Sequence, residues 1–410
     1  MSDFKETESS NKLALRLFLQ SGFVWQLCWS SYWTLFFLRV VVDVGLNPLQ
    51  LILLGTAKEV TILLVEIPTG VVADIRSRRL SVILGFLICA LAIIGAGLAP
   101  GFGLLVATQV LWAFGSTFRS GAEAAWFTDE IGSVEAVDMV LPRRARIEAT
   151  GSIIGLISTA VLAAIAGLSV ALVVVGTVLF GWGLVLIARM PETGFQRHET
   201  SGRARFRELL GEGLAASRRP GLRVLLIITV MAGFASEAVD RLSIARLDQI
   251  GLQEATLDPA LLVGAAWVMQ SIGAIAVLYI FGSRLAGQQL VTALTALHIV
   301  TGIGVAILAR VDLLTVALAG IIAQGMMRNV ARTVTIGWTN HFTNRSNRAT
   351  VHSFAGQAGS LGEISGGITL GLVAQQAGVA AAVTASAVIY LAAAGLTTRA
   401  HSRWSQPQRT

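Results

Sequence analysis

Residues 80–118 read LSVILGFLICALAIIGAGLAPGFGLLVATQVLWAFGSTF, 39 positions between Arg79 and Arg119 without one Asp, Glu, Lys or Arg. A bilayer core takes about 20 apolar residues in helical form, so this stretch is long enough to cross twice. A second run of 40 uncharged residues lies between Glu148 and Arg189. The rest of the chain agrees. Its 410 residues are 54% hydrophobic and 13% charged, with a mean hydropathy of +0.71. An ordinary soluble protein carries about 25% charged residues. There is too little polar surface here to cover a soluble globule, which excludes a soluble enzyme, a secreted disulfide scaffold and a single-anchor receptor. The apolar runs are continuous rather than alternating, which argues against a β-barrel.

The apolar segments predict twelve transmembrane helices, at 13–42, 48–73, 80–99, 103–129, 147–167, 169–190, 222–246, 259–283, 288–309, 313–339, 351–375 and 378–398. The expected fold is an all-α membrane protein of two pseudo-symmetric six-helix bundles. The N-terminal bundle spans 1–190, a linker 191–221 and the C-terminal bundle 222–410. Within the linker, RARFRELLGEGLAASRRP puts Phe206, Leu209, Leu210 and Leu214 on one helical face and Arg on the other. That suits an amphipathic helix at the lipid interface, the alternative being a solvated linker. Gly151-x-x-x-Gly155 and Gly362-x-x-x-Gly366 have the spacing of close helix packing, which carries little weight among 42 glycines.

The net charge of +7 invites a nucleic-acid reading, but in a membrane protein the position of the bases decides. With the N-terminus on the cytoplasmic side, 23 of the 31 bases fall in cytoplasmic loops and tails. Only Arg39, Arg246 and Arg310 fall opposite, and five lie inside helices. This split places both termini in the cytoplasm. Of the bases 28 are Arg, a bias that fits a GC-rich bacterial genome, so the inner membrane is the expected location. The first residues, MSDFKETESSNK, lack the basic start and cleavage site of a secretory signal. Cys28 and Cys89 sit in apolar stretches and read as small buried hydrophobes. No cluster has metal-ligand spacing and no Walker loop appears, so neither metal, cofactor nor ATP is expected. The expected partners are a small-molecule substrate, protons and the lipid bilayer, without nucleic acid and with the chain as a monomer.

The halves look weakly alike. The fourth helix ends on Arg119, Trp126 and Asp129, then Arg143; the tenth ends on Arg332, Trp338 and Asn340, then Arg348. The loop after the second helix reads Gly70-Val-Val-Ala-Asp74-Ile-Arg76-Ser-Arg78-Arg79. It resembles the signature of the major facilitator superfamily between its second and third helices, G-x-x-x-D-[RK]-x-G-[RK]-[RK]. Gly70, Asp74, Arg78 and Arg79 match; Ile75 and Ser77 depart. The resemblance implies a conformational gate in which these residues hold the outward-facing state. The stretches EIPTGVVAD, FRSGAEAAWFTDEIG, SEAVDRL and NRATVHS are similar to the twelve-helix bacterial drug exporters of the tetracycline and macrolide type. Two features of those exporters are absent: their fourth-helix arginine falls at Gln109, and ATGSIIGLIS lacks the proline of their fifth-helix motif.

A charge at the bilayer centre costs about 2.5–3.5 kcal/mol on insertion scales, so intramembrane charges are functional candidates. The resemblance puts helices 1, 4, 7 and 10 around a central cavity and helices 3, 6, 9 and 12 outside. The substrate-cavity candidates are therefore Gln26, Trp29 and Trp33 on one face of helix 1, Arg119 and Glu123 on helix 4, Glu237, Asp240 and Arg241 on helix 7, and Arg328 and Arg332 on helix 10. Glu237 and Arg241 are expected to pair at i,i+4, leaving Asp240 freer to titrate. An internal ion-pair network is the alternative. Glu237, Asp240, Glu59 and Glu363 are the proton-coupling candidates, with Lys58 able to neutralise Glu59. Arg39 and Asp43 are expected to pair at the outer end of helix 1, and His298 to be a neutral histidine satisfied by a carbonyl. Together these readings describe not an enzyme but a secondary transporter exporting a hydrophobic or amphipathic compound by proton antiport. The alternatives are an importer of a nutrient or anionic metabolite and a non-transporting sensor.

Overall fold

The computed structural model describes residues 2–195, 211, 220–282, 289–340 and 348–404. The amphipathic stretch of the linker lies almost wholly outside them. Among the described residues there are twelve helices: α1 (Ser2–Val42), α2 (Pro48–Ile75), α3 (Arg78–Leu98), α4 (Phe102–Ile131), α5 (Val134–Ala166), α6 (Leu168–Arg189), α7 (Pro220–Gln249), α8 (Pro259–Phe281), α9 (Leu290–Arg310), α10 (Leu314–Asn340), α11 (Arg348–Ala377) and α12 (Val379–Trp404). Nine of them are long and apolar enough to cross a membrane; α1, α4 and α11 fall short of that measure because polar side chains dilute their apolar runs.

Two helices begin well before their apolar segments. The polar residues ahead of position 13 contain Glu and Lys and no Gly or Pro, so α1 runs back to Ser2. In α5 the helix starts at Val134, where Ser133 accepts the N–H of Ala136 as an N-cap, and it continues through Pro142. Hydropathy marks where a helix meets lipid, and caps mark where it starts. Gly132, at φ 71°, takes the left-handed turn that ends α4 and returns its N–H to the Thr128 carbonyl.

The chain packs into two compact units. One comprises Met1–Val44, Val60–Ala204 and Ala260–Gly264; the other comprises Gly45–Glu59, Arg205–Pro259 and Ala265–Thr410. In the first, α3 packs on α4 and α6, and α1 on α5 and α6. In the second, α9 packs on α10 and α12, and α7 on α11 and α12. The second list is the first with six added to each label, which is an internal repeat of six helices.

The repeat extends to side-chain devices. Gly151 and Gly155 of α5 lie against the carbonyls of Phe23 and Leu27 on α1, while Gly362 and Gly366 of α11 lie against those of Val230 and Phe234 on α7. A Cβ at any of these positions would sit under 3.0 Å from the facing oxygen, so these helices approach closely because the residue is glycine. Arginine recurs too. Arg39, in the last turn of α1, donates to the carbonyls of Ala96 (2.8 Å) and Ala99 (2.7 Å) and to Ser169 Oγ (2.9 Å). Arg246, in the last turn of α7, donates to the Leu308 carbonyl (3.2 Å) and pairs with Asp312 (2.5 Å). Each caps the carbonyl end of its unit's third helix, where four backbone acceptors lack helical partners. Arg39 thus spends its hydrogen bonds on α3 and α6, not on the expected pair with Asp43.

Candidate functional site

In the first unit the charges form a chain. Arg119 pairs with Glu123 one turn along α4, as the spacing implied. Glu123 also takes Arg144 of α5 at 2.9 Å, and Arg144 takes Glu148 at 2.7 Å. The guanidinium of Arg119 lies 3.7 Å from the ring centroid of Trp25, and that of Arg144 lies 3.9 Å from Phe18. Two bases, two acids and two aromatic faces on α1, α4 and α5 therefore neutralise one another, as desolvated charges must.

The expected aromatic face of α1 divides. Gln26 donates to Ser30, which in turn shares a 2.7 Å hydrogen bond with Ser152 of α5. Trp33 joins a cluster with Tyr32, Phe37 and Trp112, and Gln109 donates to the Tyr32 hydroxyl at 2.6 Å. Trp29 stands apart at 37% exposed.

The signature loop is built into the same unit. Arg78 pairs most closely with Asp129 at the end of α4 (2.5 Å), donates to the Ala125 carbonyl (3.0 Å) and reaches Asp74 only at 3.4 Å. Ser77, which departs from the signature, donates to the Glu192 carboxylate, which also accepts the Arg79 N–H at 2.9 Å. Arg79 donates to the Ile187 carbonyl (2.7 Å), and Gly70 has open space where a Cβ would be. Glu130 binds the backbone N–H groups of Thr193 and Gly194, and Trp126 donates to the Pro191 carbonyl. Asp129, Glu130 and Glu192 are partners that sequence reading missed, because each is reached across helices rather than along one.

The second unit holds the denser group. Glu237 and Arg241 pair along α7 at 2.9 Å, both buried, and lie against Gly55 of α2. Asp240 does not stand free; Arg328 of α10 pairs with it. The quarter-turn that separates Asp240 from Glu237 turns it toward α10, where an arginine waits. On the α2 segment of this unit Lys58 pairs with Glu59, and Glu59 accepts from Ser360 of α11 at 3.4 Å and lies within hydrogen-bonding reach of Glu363.

Beside this network is a cavity of about 330 Å³ walled by α7, α9, α10, α11 and α12, with Arg328, Arg332, Glu363, His298, Thr301 and Tyr390 in its lining. Of the sequence candidates, Arg328, Arg332 and Glu363 line it; Glu237, Asp240 and Arg241 do not. His298 and Tyr390 were not among the candidates, since they belong to helices that the resemblance put outside. A histidine and a tyrosine each set in the middle of an otherwise apolar helix were the available signal.

No family model matches the sequence, and no curated protein matches it. Solved structures do match in shape. The nucleoside transporter NupG (D323A mutant) superposes with a TM-score of 0.76 at 14% identity, over 96% of this chain and 100% of that one. A POT family transporter in complex with a thioalcohol-conjugated peptide gives 0.74 at 10%, over 96% and 97%. A bacterial homolog of the human lysosomal transporter Spinster gives 0.69 at 14%, over 96% and 97%. At such identities the likeness shows the fold alone: the all-helical architecture of these solved transporters, in a chain with nine helices among the described residues long and apolar enough to cross a membrane.

Proposed function

We propose that the chain is a secondary active transporter that moves a small polar solute across a bacterial inner membrane by alternating access. The observation that carries this reading is the cavity of the second unit, where two arginines, an acid and two histidines line a space among apolar helices. Charges in such helices are costly and are kept where water or cargo meets them. Similar folds are described as transporters of nucleosides and as holding peptides or 5-aminolevulinic acid, all polar cargo. The sequence's 23-to-3 division of basic residues supports cytoplasmic termini.

The charges also support proton coupling. The network and cavity contain four bases, Lys58, Arg241, Arg328 and Arg332, and four acids, Glu59, Glu237, Asp240 and Glu363. Two carboxyl groups hydrogen-bond each other only when one carries a proton, so the Glu59–Glu363 contact is a natural proton carrier. Fully ionised, the group is neutral; with that proton it is +1. A protonated state then favours an anionic solute, which links proton and cargo in one direction, as in symport.

A second reading, antiport-driven export of an amphipathic drug, has one observation in its favour: the aromatic wall of α1, with Trp29 exposed at 37%. Liposomes carrying the purified protein separate the two. Under an inward proton gradient, accumulation of small carboxylates or nucleosides that protonophore abolishes supports the first. Gradient-driven movement of lipophilic dyes, with Trp29→Ala lowering their affinity, supports the second. No flux above empty liposomes for either group defeats the transport reading.

A further inference from the structure

We infer that the C-terminal half contains an anion-binding subsite inside its own bundle, formed by Arg328, Tyr390, Thr301 and His298, which takes the carboxylate or phosphate group of a small organic solute. The subsite deepens the transport reading of this cavity and rests on it for its role.

The four side chains come from three helices, α10, α12 and α9, and all line the one cavity. His298 is 4% exposed, Thr301 1% and Tyr390 1%. In each of the four one polar atom is buried without a well-formed hydrogen bond among the described residues: Arg328 Nη1, Tyr390 Oη, Thr301 Oγ1 and His298 Nδ1. The Arg328 guanidinium and the Tyr390 hydroxyl lie within reach of each other, and His298 lies within reach of the Leu294 carbonyl, the kind of partner expected for it, so these contacts are weak rather than missing. Folded proteins leave few such groups, and four gathered round one space call for a common partner. Arg328 divides its fork: Nη2 is on Asp240, Nη1 makes no well-formed hydrogen bond, and the Tyr390 hydroxyl is the neighbour within its reach. The rings of His298 and Tyr390 lie 26° from parallel with centroids 6.3 Å apart, so the two side chains form one wall of the cavity.

The chemistry selects an acceptor. A guanidinium can only donate, two hydroxyls can rotate to donate, and histidine donates from either nitrogen according to tautomer. A carboxylate or phosphate, offering acceptors only, satisfies all four at once. A single water makes about three hydrogen bonds and has about 30 Å³ of liquid volume. The cavity, at about 330 Å³, has room for a solute attached to the anionic group. Among the described residues no acid pairs with Arg332, which lies within electrostatic reach of Tyr390 and adds positive charge at the same wall. Glu363, on α11, is the acid that lines the cavity, and the nearby Lys58 offsets the negative charge that it shares with Glu59.

The test is thermal unfolding of the full chain in detergent, with inorganic phosphate, succinate or chloride at matched ionic strength. The variants are Tyr390→Phe and Thr301→Val, each of which deletes one hydroxyl and little volume. Phosphate or succinate should raise the midpoint saturably where chloride does not. Each variant should weaken the apparent affinity about tenfold, the effect of losing one hydrogen bond to a charge. The ligand-free midpoint should hold or rise, since a buried hydroxyl without a well-formed hydrogen bond has gone. A lower ligand-free midpoint with unchanged affinity would mean a structural role and overturn the subsite, as would the lack of any saturable shift in the wild type. Native mass spectrometry identifies the anion's source: a phospholipid kept by the wild type and lost from both variants assigns the phosphate to a headgroup. Solute flux in liposomes without saturable anion binding sinks the subsite and leaves transport standing; anion binding without flux of any solute does the reverse.

Discussion

Arg39 illustrates how much a single buried side chain can join. Its guanidinium ties α1 to the last turn of α3 and to Ser169 of α6 through three hydrogen bonds. Arg39→Leu leaves two carbonyls and a hydroxyl without that donor, and a hydrogen bond from a charged group contributes about 1.5–3 kcal/mol. The variant should lose about 2 kcal/mol or more of stability, measured by denaturation in detergent micelles, and Arg39→Lys should recover only part of it because an ammonium cannot fork. Unchanged unfolding of Arg39→Leu would contradict the capping role. The signature loop offers a paired comparison. Arg78 pairs with Asp129 at 2.5 Å and with half-exposed Asp74 only at 3.4 Å. Asp129→Asn should therefore lower stability by about 1–3 kcal/mol, whereas Asp74→Asn should cost under about 0.5 kcal/mol while slowing transport if Asp74 gates. Equal melting of the two variants would show that Asp74 is the structural partner after all. Pairs at i,i+4, such as Glu237–Arg241 and Arg119–Glu123, were legible in the sequence because helix geometry alone dictates them. Asp240–Arg328 and Arg78–Asp129 were not, since nothing in one helix's spacing says which neighbour it faces.

At the scale of elements, long uncharged runs located the spans because lipid imposes their length, as in residues 80–118. The starts of α1 and α5 escaped, since those turns obey capping and propensity in a polar setting. The two glycine pairs carried little weight as sequence, but each lies where carbonyls of the unit's first helix come close: α5 on α1 and α11 on α7. Gly155→Val and Gly362→Val place a branched side chain against a facing backbone, which has no rotamer with which to yield. Overpacking of this kind costs about 1–3 kcal/mol or more. Both variants should give poor yields of monodisperse protein on size-exclusion chromatography, while Gly356→Ala, at a position on α11 with open space beside it, should behave as wild type. Normal yield and melting of both valine variants would mean that these helices separate at little cost.

For the whole molecule, the six-helix repeat appears in the order of packing, in the glycine pairs and in the arginines at Arg39 and Arg246. The halves differ in chemistry. The first neutralises its charges in a closed chain around Glu123, while the second gathers eight beside a cavity. That asymmetry is why cargo and proton are proposed to meet in the second half. The sequence had marked Glu59 and Glu363 as separate proton-coupling candidates, with Lys58 able to neutralise Glu59; the reach of one acid to the other, with Lys58 beside them, makes them one group. The most direct test compares the wild type and Glu363→Gln in liposomes, with the solute found to be transported. Both net accumulation under a proton gradient and solute counterflow without one are measured. The proton-coupled account predicts that Glu363→Gln loses accumulation, retains counterflow within about threefold and no longer responds to pH. Full gradient-driven accumulation by Glu363→Gln would contradict it.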